Sequence, residues 1–181
     1  MIHISPQQFK DAFLQAAFTF QSDIFERWDA LPERTDMMLK TVSPAIAQIL
    51  NVQVYPGDYY TLDSIYYTER DTEHFPETSY HAKNICVALE HENNITKSVE
   101  EMNKLQLFNT PLKVLITYNP HASERADQLA RYTKILRDAD VFGDFATHRR
   151  QMVVFGDKQE AKVHWQFYVY ETTGFQEIRN T

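Results

Sequence analysis

The residues best suited to chemistry in this 181-residue chain are the carboxylates of Glu90-His91-Glu92, which close an otherwise apolar run, ICVALEHE. Strand geometry puts residues two apart on one face with Cα atoms about 6.5 Å apart, so Glu90 and Glu92 could jointly orient a divalent cation. Asp63 is a third candidate. It lies in TLDSIYY, where Leu62 and Ile65 mark a strand and β-propensity alone gives an Asp little support. If that Tyr-rich strand pairs with ICVALEHE, the three carboxylates converge. The plainer reading makes Glu90 and Glu92 a strand end reaching solvent beside Asn93-Asn94, and Asp63 the side-chain cap of a turn. Against it stands the cost of leaving carboxylates on an inner face without a cation or partner.

Other chemistries find less in the residues. Of the seven histidines, His74, His81 and His91 gather around the acidic strand, but their spacing matches no compact zinc signature. No serine sits in a Gly-x-Ser-x-Gly turn. Paired glycosidase carboxylates face each other across a cleft rather than standing two apart on one strand.

The elements that must position these groups follow from patterning. Ser5-Pro6-Gln7-Gln8 reads as a capped helix start. Phe9, Phe13, Ala16, Ala17, Phe20, Ile24 and Trp28 then form one buried stripe of a long helix. Thr35-Asp36 predicts the cap of a second helix and Ser43-Pro44 a restart, so residues 1–50 are helical. The Tyr-rich stretch from Asn51 predicts two strands joined at Pro56-Gly57, followed by a polar loop over 69–81. In the acidic strand Ile85, Val87 and Leu89 face one way and Cys86, Ala88, Glu90 and Glu92 the other. Ser98 to Glu101 predicts a capping box opening a helix with Val99, Met102 and Leu105 inside. LKVLITYN is a strand covered on both faces, parallel to the acidic one, and ASERADQLARYTKILRDAD is a further amphipathic helix. Two strands, QMVVFGD and VHWQFYVYET, form a C-terminal β-hairpin whose Trp165, Phe167, Tyr168 and Tyr170 belong either to the core or to a homodimer edge. The expectation is one domain over 1–181, a helical part (1–50) and an α/β core (51–181), with a mixed central sheet flanked by helices.

Composition bounds the rest. A net charge of −7, from 18 Lys and Arg against 25 Asp and Glu, argues against coating nucleic acid by charge alone. It leaves open an enzyme acting on nucleic acid, because a bound cation reshapes the local field. Residues 111–181 carry ten basic and nine acidic side chains, against four and nine in 61–110, and Arg149-Arg150 is the preferred phosphate contact. A single cysteine, Cys86, excludes an intramolecular disulfide and points to a reducing, cytoplasmic setting. No apolar run approaches the roughly 18 to 20 residues that cross a bilayer, so no membrane role is expected.

The order of elements, with Asp63 on an early strand and Glu90-x-Glu92 on the next before a helix and an apolar strand, resembles the PD-(D/E)XK nuclease superfamily. The likeness spans roughly Phe9 to Asn119 and implies a restriction endonuclease-like fold. Asp63 matches the family Asp, Glu90 the first acidic position, and Glu92 the position usually held by Lys. Some superfamily members carry Glu there and cut; others that have lost the Lys are binding or assembly modules. Glu26, in DIFERW, is similar in position to a helical Glu of several branches. The resemblance implies phosphodiester hydrolysis with Mg²⁺ or Mn²⁺ held by Asp63, Glu90 and Glu92, and with Glu92 orienting or deprotonating water. A migrated Lys could restore the missing charge. Lys83 has the wrong parity unless a bulge intervenes, which leaves Lys97 and Lys104 as better candidates.

Overall fold

In a computed structural model, which describes residues 2–70, 82–118 and 122–179, the first fifty residues fold into four short helices. Helix α1 (Pro6–Thr19) starts as the sequence predicts: the Gln8 amide donates to Ser5 Oγ, and the Gln8 side chain accepts from the Ser5 amide. The aromatic stripe does not continue as one helix to Trp28. It breaks at Phe20, resumes as α2 (Gln21–Glu26), and leaves Trp28 in the turn beyond. Helix α3 (Leu31–Met37) begins at Leu31, with Pro32 in its first turn, rather than at Thr35, whose hydroxyl donates back to Leu31 O inside the helix. A π-helical turn over Met38–Val42 runs into α4 (Ser43–Ile49), with Pro44 in its first turn.

Among the described residues seven strands follow in one sheet whose spatial order equals chain order: β1 (Gln53–Tyr59), β2 (Leu62–Arg70), β3 (Ala82–Glu92), β4 (Leu112–Tyr118), β5 (Arg150–Gln159), β6 (Lys162–Glu171) and β7 (Gly174–Glu177). β3, β4 and β5 run parallel, and every other neighbouring pair is antiparallel. Two helices carry the parallel crossovers, α5 (Ser98–Leu105) and α6 (Ala122–Ala139). Each sheet face is covered. Phe9, Phe13, Ile24, Met38 and Ile46 of the N-terminal helices pack on Val87, Leu89, Val114 and Val154. On the other face Met102 and Leu105 of α5 and Tyr132 and Leu136 of α6 pack on Ile65, Ala88, Leu115 and Val153. The architecture is therefore mixed α/β with helices on both faces. Among the described residues no helix is long and apolar enough to cross a membrane.

Three local expectations are corrected. Pro56-Gly57 lies within β1, where an irregularity between Pro56 and Tyr59 absorbs the proline; the turn is Tyr60-Thr61, both with positive φ (51° and 75°). The pattern of β3 is broken by a bulge, because its partner register shifts between Tyr66 and Tyr67. Ile85 consequently joins Ala88 on the α5/α6 face while Cys86, Val87 and Leu89 face the N-terminal helices. Ser98 is already helical and caps nothing; its hydroxyl bonds to Ile95 O and Tyr132 instead. β7 pairs with β6 only over Tyr168–Glu171; Phe167 and Tyr170 are buried in the core, while Trp165 and Tyr168 are partly buried.

Candidate functional site

The register of β2 on β3 pairs Ser64 with Leu89 and Ile65 with Ala88, and one further step sets Asp63 opposite Glu90. Both side chains lie on the face covered by α5 and α6, since Asp63 shares the parity of Ile65, and Glu90 that of Ala88. The backbone fixes Asp63 further, because its Oδ2 accepts the His91 amide at 2.8 Å. Its second contact is a side-chain hydrogen bond with Glu90. Two carboxyls on adjacent strands are thus in direct contact.

Helix α5 brings a lysine over this pair. Lys104 Nζ lies 2.8 Å from Glu90 Oε1 and 2.5 Å from Glu101 Oε2, one turn back on its own helix, and it donates to Thr61 O at 2.9 Å. Thr61 reaches the site because the tight β1–β2 turn holds it in the left-handed region, unusual for a β-branched residue. The Thr61 amide is anchored to Asp58 Oδ1 at 2.7 Å. Backbone strain of this kind collects at functional sites.

Burial dominates the electrostatics. Glu90 is 1% exposed, and the Oε1 that meets Lys104 does so outside hydrogen-bond geometry and has no other partner. Desolvation, with repulsion from Asp63 and Glu101 only partly offset by Lys104, pushes the Glu90 carboxyl up to about 9. Asp63 is also raised by burial, which the His91 amide, Glu90 and Lys104 oppose. Burial pulls the Lys104 ammonium down, but Glu101 and Glu90 outweigh it and hold it above the ordinary lysine range. The Asp63–Glu90 pair therefore keeps a proton at neutral pH beneath a charged Lys104.

The opposite face locks the same strand end. His91 is fully desolvated and pushed down to about 3, hence neutral, with Nε2 2.6 Å from the Tyr118 hydroxyl. Arg34 stacks 3.9 Å over the Tyr118 ring and 4.9 Å over Trp28, and its Nε donates to Asn93 Oδ1 at 2.9 Å. This aromatic clamp fixes the backbone amide that Asp63 accepts.

Of the residues singled out in the sequence, Asp63, Glu90 and Lys104 come together and the others do not. Glu92 keeps the face of Glu90 but turns down to accept the Asn94 amide at 2.6 Å, capping the strand end. Glu26 is exposed at the end of α2, on the far face of the sheet. Arg150 is level with Leu112 and Val87, three residues back from Glu90 and two strands across, so roughly 10 Å away in each direction. It is paired with Glu171, and Arg149 grips Asp144 through Nε and NH2. Neither arginine is offered to a phosphate at the acidic site. Lys83 pairs opposite Glu69, roughly 20 Å down β3 from Glu90 whatever its parity. His74 and His81 lie outside the described residues. The groups that sequence patterning missed are Glu101 and the Thr61 carbonyl. Glu101 had a visible signal, its three-residue spacing to Lys104 on a helix.

As a donor set, Asp63, Glu90, Glu101 and the Thr61 carbonyl offer only oxygen, the ligand type of Mg²⁺ and Mn²⁺. Among the described residues no three His, Cys, Asp or Glu side chains are drawn together closely enough to hold a metal as they stand. The Lys104 ammonium occupies the space between Glu90 and Glu101. Comparison of the chain with protein-family models and with curated proteins gives no match.

Proposed function

We propose that this chain is a divalent-metal-dependent nuclease, hydrolysing phosphodiester bonds of a nucleic acid on a restriction endonuclease-like core. One observation carries the reading: Asp63 on β2, Glu90 on β3 and Lys104 on α5 converge although they come from three elements. The layout around them agrees. Three antiparallel strands, a helix and a parallel fourth strand put the Asp and Glu in cross-strand contact, as the PD-(D/E)XK resemblance requires.

Mg²⁺ or Mn²⁺, if bound there, would polarise the phosphate and acidify a water. Asp63 and Glu90 would hold the cation, with the Asp63 carboxylate oriented by the His91 amide. Lys104 supplies from the helix the positive charge that Glu92 cannot supply from the usual lysine position. A reducing, cytoplasmic setting fits the single buried thiol, Cys86.

A second reading, a catalytically silent binding or assembly module, draws on the contact of Lys104 with Glu90, which fills the site without any metal. Mn²⁺ calorimetry on the parent and on Glu90→Ala, beside cleavage of single- and double-stranded DNA and RNA, decides between them. The nuclease reading expects binding that vanishes in the variant and cleavage of at least one substrate. No heat at millimolar Mn²⁺ and no cleavage would leave the silent module.

A further inference from the structure

We propose that Arg125, in the first turn of α6, anchors an anion site that takes a phosphate group, either free or in the backbone of a nucleic-acid strand. The site uses none of the acidic residues above and stands whether or not they hold a metal.

Among the described residues two arginines are buried, and they differ in their partners. Arg34 gives its Nε to Asn93 Oδ1. Arg125, only 9% exposed, donates no hydrogen bond and meets no carboxylate among the described residues, and its Nε is sealed from solvent. A guanidinium cannot shed its charge, so burying one without a counter-ion costs the fold stability. The Phe155 ring beneath it, with its centroid 5.8 Å from Arg125 Cζ, offsets part of that cost.

Two further features converge on the same place. Thr117 on β4 pairs with Phe155 on β5, and both share the α5/α6 face with Leu115 and Val153. Thr117 Oγ1 is fully buried and has no hydrogen bond, although buried hydroxyls ordinarily find a partner. Arg125 itself leans back toward the start of the 18-residue α6, where the peptide dipoles present their positive end. Water could satisfy the hydroxyl but not the charge. A phosphate accepts both the guanidinium fork and the hydroxyl, and it is the anion that arginine geometry suits best. Thr117 is level with Glu92, so Phe155 stands roughly 10 Å across the sheet from β3. The Glu92 carboxylate is already engaged by the Asn94 amide.

The test is calorimetry and thermal melting with inorganic phosphate, against chloride at equal ionic strength, on the parent, Arg125→Met, Arg125→Lys and Thr117→Val. Phosphate should raise the melting temperature of the parent and leave that of Arg125→Met unchanged. In chloride Arg125→Met should melt no lower than the parent, because it removes an unpaired charge and no bond. Arg125→Lys, which keeps the charge without the planar fork, should bind phosphate at least about tenfold more weakly. Thr117→Val should melt normally in chloride and bind phosphate more weakly. Anisotropy of a labelled oligonucleotide in chelator separates the two sources. Weaker strand binding by Arg125→Met, with a salt slope shallower by about one, assigns the phosphate to a nucleic-acid backbone, whereas unchanged strand binding assigns it to a free phosphate. Phosphate and strand affinities that are equal in the parent, Arg125→Met and Arg125→Lys overturn the proposal, as does the absence of binding by any of them. A lower melting temperature of Arg125→Met in chloride would make the arginine part of the framework of the fold, and the proposal falls there too.

Discussion

Asp63 and Glu90 stand opposite each other on antiparallel strands, yet their environments differ: Asp63 Oδ2 is satisfied by the His91 amide, while Glu90 Oε1 has only the misaligned ammonium of Lys104. The asymmetry decides where the shared proton resides. It favours Glu90, the more deeply buried of the two.

Stability should therefore peak in mildly acidic solution when a chelator keeps metal away. Glu90 is raised from 4.5 to about 9, so across that window the folded state holds a proton the unfolded chain has lost, and stability falls as pH rises. His91 is lowered from 6.5 to about 3, so across that window the unfolded chain binds a proton the folded state refuses, and stability falls as pH drops. The two effects oppose each other between pH 4.5 and 6.5, which places the maximum there. Either limb has a slope of at most about 1.4 kcal/mol per pH unit, one proton's worth. Urea unfolding across pH should show that Glu90→Gln flattens the alkaline limb and spares the acid one. An alkaline limb equally steep in both proteins would show that the proton is not on Glu90.

How far the sequence foretold this arrangement depends on the range over which each residue interacts. The capping box at Ser5 and the parallel strand LKVLITYN were legible, because local bonds or simple alternation set them, whereas the meeting of Asp63 with Glu90 was legible only on the condition that their two strands pair. The bulge in β3 was not, since one extra residue changes parity without changing composition. Pro56-Gly57 carries a stronger turn signal than Tyr60-Thr61, yet tertiary pairing of Tyr59 with Leu62 overrode it. Glu26 and Arg149-Arg150 stand apart from Asp63 and Glu90 for a different reason. Nothing in linear spacing tells on which face of the sheet, or at which level along it, a side chain will stand.

Glu92 offers the sharpest contrast between motif and geometry. It occupies the motif position two residues after Glu90, but its carboxylate serves the Asn94 amide at the strand end. Glu92→Gln keeps an acceptor there, so cleavage and Mn²⁺ affinity should stay within about threefold of the parent. Glu90→Gln should lower cleavage by about 100-fold or more, the scale of losing a group that acts directly on the reacting centre. Parallel rate measurements on the two variants check this. Equal losses in both would return Glu92 to the site and require it to turn away from Asn94.

The last relationship concerns how β5 supports the strand end from the opposite face. A Cβ on Gly156 would lie 2.7 Å from the Trp165 ring and 2.8 Å from both Trp28 and Tyr118, distances that side chains do not tolerate. The three rings cannot each step aside, because they pack edge to face on one another, Trp28 against Tyr118 at 5.0 Å between centroids. Tyr118 is also the partner of His91 and the platform for Arg34. Gly156→Ala should therefore cost about 1–3 kcal/mol, as overpacking does, and should loosen the His91 segment that orients Asp63. Urea denaturation reads the first effect, as a lower midpoint at unchanged slope, and amide exchange at His91 reads the second. Gly57→Ala is the control, because its nearest neighbour is Tyr55 at an ordinary 3.6 Å, and it should stay within about 0.5 kcal/mol. If Gly156→Ala matches that control, the rings can slide apart freely and the clamp on the strand end is not held by their packing.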